Sequence, residues 1–155
     1  MYFATHKHDL QKVIDSLAMD ENEVVIDLGA GIGTVIFEAA KQAKEKNLKT
    51  QFVGIDIHLI MVLILWLRRL FHPNKENIHI VWSDIFKCHF DHYVKPDKTS
   101  LYFYLSPWLT KGVGKLISGI EGNTHIVSYK YPLEAFKEHG RVAGKTNDIF
   151  IYKTK

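Results

Sequence analysis

Cysteine is almost absent from this chain. Cys88 is the only one in 155 residues, so no disulfide can form within it and a reducing compartment is favoured. Long apolar runs are lacking as well. The longest, Leu-Ile-Met-Val-Leu-Ile-Leu-Trp-Leu at 59–67, is far short of the ~20 residues a membrane-spanning helix needs. A helix apolar on every side is expected to be packed inside the protein, or else partly against a partner or membrane surface. Residues 1–10 show no apolar stretch behind a basic start, which argues against a secretory leader, and the expected location is cytoplasmic. Dense basic patches interleaved with aromatics are missing too. The net charge is only +3, and Lys41, Lys44, Lys46 and Lys49 read as one solvated helix face, so nucleic acid is not expected as a partner. Cys88, His89 and His92 lack the spacing of a structural zinc site, and no metal is expected. No nucleophile–base pair is legible, which leaves covalent catalysis without support. Repeats, linkers and low-complexity tracts are also absent. With 46% hydrophobic and 24% charged residues, residues 1–155 read as one globular domain.

What is present is an alternation of buried strands and amphipathic helices. Apolar residues at helical spacing predict helices over 9–17, 32–46, 59–71 and 108–120, the third stopped by Pro73. Apolar and β-branched runs predict strands over 23–28, 51–57, 78–82, 100–105 and 124–129, the first covered on both faces because it shows no polar alternation. Residues 140–153 read as a hairpin turning at 145–148. The fold class that follows is α/β, a Rossmann-like doubly wound sheet, mostly parallel, closed by a C-terminal antiparallel hairpin. In such sheets ligands gather at the carboxyl ends of the strands.

Those ends carry the chemistry. Residues 24–34 run Val-Val-Ile-Asp-Leu-Gly-Ala-Gly-Ile-Gly-Thr, an apolar strand ending in an acid and then glycines at alternate positions. The spacing G-x-G-x-G differs from the dinucleotide fingerprint G-x-G-x-x-G, which points to S-adenosylmethionine rather than a nicotinamide cofactor. A nucleoside there requires an acid at the end of the second strand for the ribose hydroxyls, and Gly54-Ile55-Asp56-Ile57 supplies it. The third strand ends in Ser83-Asp84-Ile85-Phe86, where Asp84 is placed to accept from an adenine amine and Ile85 or Phe86 to pack the ring.

Together these strand ends resemble the class I S-adenosylmethionine-dependent methyltransferases over nearly the whole chain. The resemblance implies that Asp27 helps hold the methionine ammonium, with Gly29, Gly31 and Gly33 forming the loop around it. Asp56, Ile57, Asp84 and Ile85 complete the expected cofactor site. The fourth strand end, Tyr102-Phe103-Tyr104-Leu105-Ser106-Pro107-Trp108, is not an Asn-Pro-Pro-Tyr motif. Taken with Tyr131-Pro132-Leu133, it looks closer to the small protein-lysine N-methyltransferases related to the ATP synthase c-subunit and adenine nucleotide translocase enzymes and their archaeal broad-specificity relatives. Two departures stand out: Ile32 sits where that subgroup has an aspartate, and Tyr2-Phe3-Ala4-Thr5 lacks the subgroup's prolines.

The implied activity is methylation of lysine side chains in a protein substrate, with membrane proteins among the candidate acceptors. Tyr104, Trp108 and Tyr131 would line an aromatic channel, with a carbonyl at Leu105 or Ser106 orienting the amine and Tyr2 and Phe3 closing the top. The alternatives are a small-molecule or RNA methyltransferase, or a non-catalytic nucleoside-binding partner subunit.

Overall fold

The structure is a computed structural model that describes residues 4–89 and 92–154. Its elements, in chain order, are α1 (Leu10–Ser16), β1 (Val24–Leu28), α2 (Thr34–Glu45), β2 (Gln51–Asp56), α3 (Leu59–Leu70), β3 (Ile78–Trp82), β4 (Thr99–Phe103), α4 (Pro107–Ser118), β5 (Thr124–Tyr129), β6 (Glu138–Val142) and β7 (Ile149–Lys153). A short 3₁₀ turn, Lys75–Asn77, precedes β3. The strands form one sheet in the order β3-β2-β1-β4-β5-β7-β6. The first five in sequence are parallel, and β7 runs antiparallel to both β5 and β6.

Strands β1 and β4 are buried along their whole length, as central strands covered on both faces must be. Side chains alternate between two cores. Val25 and Tyr102 pack with α1 and α2 on one face, while Ile26, Leu28, Leu101 and Phe103 pack with Val113 and Ile117 of α4 on the other. Asp27 pairs in register with Tyr102 of β4 and Gly54 of β2, so the acid of the glycine motif lies at the middle of the sheet. The polar N-terminal segment is pinned to the hairpin by Asp9, which is fully buried. Its carboxylate accepts the Tyr129 hydroxyl at 2.6 Å and the backbone N–H groups of Lys145, Thr146 and Asn147.

As the helical spacing predicts, β1, β2 and β4 are each followed by an α-helix, and residues 83–89 form turns. Two expectations are corrected. Strand β4 ends at Phe103 rather than 105, because Pro107 opens α4 and the chain must turn before it. The run at 59–67 is helical but not interior. Only Val62 and Leu65 of α3 are buried, while Leu59, Ile60, Leu63, Trp66, Leu67 and Leu70 are exposed. With β3 at the sheet edge, α3 has core on one side only, and its outer apolar face is left uncovered.

Candidate functional site

The turn from β1 into α2 is built by backbone geometry. Gly29 adopts φ +79°, and a Cβ there would lie 3.1 Å from Leu105 Cδ2, so glycine lets the loop close against the end of β4. Gly33 adopts φ +87° as the residue preceding α2. A Cβ on it would meet the Phe37 ring and lie 2.8 Å from Leu65 Cδ2. The loop is tied to β2 by the N–H groups of Gly29 and Ala30, which both donate to the Ile55 carbonyl.

Asp56 ends β2 and is buried. Its Oδ2 accepts the Gly31 N–H at 2.8 Å and its Oδ1 the His58 N–H at 2.9 Å. Each oxygen thus keeps a lone pair, in a carboxylate whose orientation is fixed. Asp84, past the end of β3, accepts the Phe86 N–H through Oδ1 at 2.9 Å while its carbonyl closes the following turn. It therefore caps that turn and faces the site as well. At the end of β4, the Ser106 carbonyl is engaged by the N–H groups of Leu109 and Thr110 at the start of α4.

These ends converge on a cavity of about 390 Å³ lined by Gly29, Asp56, Ile57, His58, Ser83, Asp84, Ile85, Phe86, Tyr104, Leu105, Ser106, Trp108 and Leu109. That volume lies in the ~300–1,000 Å³ range of small-molecule sites. A narrow crevice adjoins it through Gly29 and Tyr104, lined also by Thr5, Asp27, Ala30, Thr34, Val35 and Tyr102. Of the expected site residues, Gly29, Asp56, Ile57, Asp84, Ile85, Tyr104, Leu105, Ser106 and Trp108 line the cavity, and Asp27 lines the crevice. Gly31 and Gly33 line neither; they shape the loop, Gly31 through its N–H on Asp56. Tyr2, Phe3, Phe90 and Asp91 lie outside the described residues.

The electrostatics are concentrated in the crevice. Burial, with a smaller contribution from the neighbouring Asp56 charge, pushes the Asp27 carboxyl up to about 8. Burial and the nearby Asp27 also raise the Tyr102 phenol, whose hydroxyl pairs with Thr5. A second group of aromatics stands behind Tyr104. Its ring packs edge-on against Tyr129 with centroids 4.9 Å apart, and Tyr131 lies 6.3 Å away. Lys130 places its ammonium 5.2 Å from the Tyr131 ring centre, and hydrogen bonding to the Tyr131 hydroxyl, together with Tyr104, raises its pKa.

Sequence reasoning missed His58, Leu109, Thr34 and Lys130. His58 enters through its backbone, as the second residue after a strand-ending acid, which is a pattern of Asx-type turns. Lys130 is held at φ +74°, a backbone state that composition and periodicity do not encode.

In fold, this chain is similar to the class I S-adenosylmethionine-dependent methyltransferases. An RNA methyltransferase from Salinibacter ruber, solved in complex with S-adenosyl-L-homocysteine, is similar with a TM-score of 0.84 at 18% identity, over 98% of this chain and 94% of that one. Precorrin-6y C5,15-methyltransferase from Geobacter metallireducens matches with a TM-score of 0.65 at 16% identity, over 97% and 93%. In sequence, the family described as "Histone methylation protein DOT1" matches residues 1–59. Ribosomal RNA small subunit methyltransferase A of Streptococcus pyogenes serotype M5 (strain Manfredo) is 31% identical over 96 residues, which is 62% of this chain and 30% of that protein. This chain thus spans under a third of the curated relative it matches. No helix among the described residues is long and apolar enough to cross a membrane.

Proposed function

We propose that this protein transfers a methyl group from S-adenosylmethionine to the side-chain amine of a lysine in a protein substrate. The observation that carries the reading is the convergence of four strand ends on one cavity, with Asp56 aimed into it by two backbone amides. In this assignment Asp56 receives the ribose hydroxyls. Asp84 receives the adenine amine, with Ile57 and Ile85 against the ring. Asp27 and the loop of Gly29, Gly31 and Gly33 receive the methionine end. The residues fit the group: a buried carboxylate with spare acceptor capacity suits a vicinal diol, and an acid in a narrow crevice suits an ammonium.

The bound cofactor supplies a methyl group already activated on a sulfonium. The chain's part is to align the acceptor, exclude water and keep the amine neutral. Tyr104 and Trp108 provide apolar walls that disfavour the charged amine. The Ser106 carbonyl is engaged by α4, so the Leu105 carbonyl is assigned the role of orienting the amine.

A lysine acceptor draws on the aromatic walls that Tyr104 and Trp108 give the cavity, against which an alkylamine would lie. The match to a histone methylation family points the same way. A second reading, an RNA acceptor, draws on Trp108, which is 75% exposed at the cavity mouth where a base could stack, and on the two RNA methyltransferase relatives.

Incubation with methyl-labelled S-adenosylmethionine and a cell lysate separates these readings. Label is expected in protein and, after acid hydrolysis, in methyllysine. Label in RNA alone would overturn the lysine assignment in favour of the second reading.

A further inference from the structure

Helix α3 carries an apolar stripe that the fold does not cover. Ile60, Leu63, Trp66, Leu67 and Leu70 recur at helical spacing on one face and are 45–70% exposed, and Phe71 just beyond is 83% exposed. The stripe extends across the sheet edge. Trp82 is 56% exposed, and its indole N–H donates to the Ile57 carbonyl at 2.9 Å. Ile57 in turn lines the cavity, whose far wall carries the exposed Phe86 and Trp108. Two of the three tryptophans, Trp66 and Trp82, are thus exposed on this helix and the neighbouring edge strand. Single exposed apolar residues need no explanation, but a contiguous run of this size does.

Charge decides what covers it. Helix α3 contains no acidic residue and ends in Arg68 and Arg69. Each spends one hydrogen bond on a backbone carbonyl, Arg68 on Ile32 and Arg69 on Ile78, out of five N–H donors. Beyond the helix, Lys44, Lys49 and Lys75 line a groove with Glu76 as its only acid, and Lys44 is fixed to the Pro73 carbonyl. In a symmetric pair of copies docked through this face, the basic rim would meet itself. An apolar face with tryptophans and a basic margin has the chemistry of an interfacial helix on an anionic bilayer.

We infer that the α3 face, from Ile60 to Phe71 with Trp82, docks this protein onto an anionic lipid surface. The apolar side chains enter the headgroup boundary, and the lysines meet lipid phosphates. Docking would place the cavity mouth beside the bilayer. The inference stands apart from the methyl-transfer reading, since none of the stripe residues used to test it lines the cavity.

The test is flotation of the chain with phosphatidylcholine vesicles, with and without phosphatidylglycerol as about one-third of the lipid. The protein is expected to float with the anionic vesicles, and less so as salt rises. Ile60→Glu with Leu67→Glu is expected to lower the bound fraction at least ~tenfold, and Lys49→Gln with Lys75→Gln at least ~fivefold. Circular dichroism and the thermal unfolding of the same variants without ligand show whether they remain folded. No flotation of the wild type, or equal flotation of a folded Glu variant, would overturn the inference. So would a dimer in analytical ultracentrifugation that the Glu pair dissociates.

Discussion

Asp27 carries the most perturbed acid of the site, raised to about 8 by burial and then by Asp56. Its folded-state value lies above its unfolded one, so its contribution to stability is full below about pH 4 and is lost as pH rises towards 8. Without ligand, Asp27→Asn is expected to melt higher than the wild type by a margin that grows from pH 5 to pH 8, read by calorimetry. A ligand ammonium requires the ionised acid, so binding at pH 7 is expected to release about one proton per ligand. Titration calorimetry in buffers of different ionisation enthalpy measures that number; zero would remove Asp27 from the ligand. Asp9 has the opposite sign. Burial would raise it, but the Tyr129 hydroxyl and three backbone amides outweigh burial and hold it at about 2. Its contribution is present above the unfolded value near 4 and is lost as pH falls through 2. Asp9→Ala leaves a buried phenol and three amides short of an acceptor, and a loss on the order of 2–3 kcal/mol is expected in denaturant unfolding at neutral pH.

At the scale of elements, the glycine turn joins backbone strain to ligand access. Gly33→Ala places a methyl group against Phe37 and Leu65 in a left-handed backbone. A destabilisation of about 1–3 kcal/mol is expected, with cofactor affinity falling as the start of α2 shifts. An unchanged melting temperature would contradict the packing described. The parallel strands, their order of appearance and the acids at their ends were legible in the sequence because each is a local signal: an apolar run, then a turn residue, then a carboxylate. The exposure of α3 was not legible, because periodicity reports how apolar a helix is and not whether a neighbour covers it. Here β3 ends the sheet beside it. Lys130 was not legible because its place depends on a left-handed residue at the end of β5. The His58 contact depends on a backbone N–H, which any residue type except proline supplies.

At the scale of the whole molecule, one edge of the sheet concentrates the ligand chemistry. The ends of β1, β2, β3 and β4 meet at a single cavity, and the uncovered face of α3 leads to its rim. The antiparallel β5-β7-β6 edge carries no part of that cavity; its turn is locked to Asp9 instead. The central claim is that the four strand ends bind S-adenosylmethionine, and calorimetric titration of the purified chain with that compound and with S-adenosylhomocysteine tests it most directly. The account predicts one site per chain for each ligand, with affinity reduced at least ~100-fold in Asp56→Ala through loss of charge-assisted hydrogen bonds to the ribose. Absence of heat at millimolar ligand, or an Asp56→Ala variant that binds like the wild type, would contradict it.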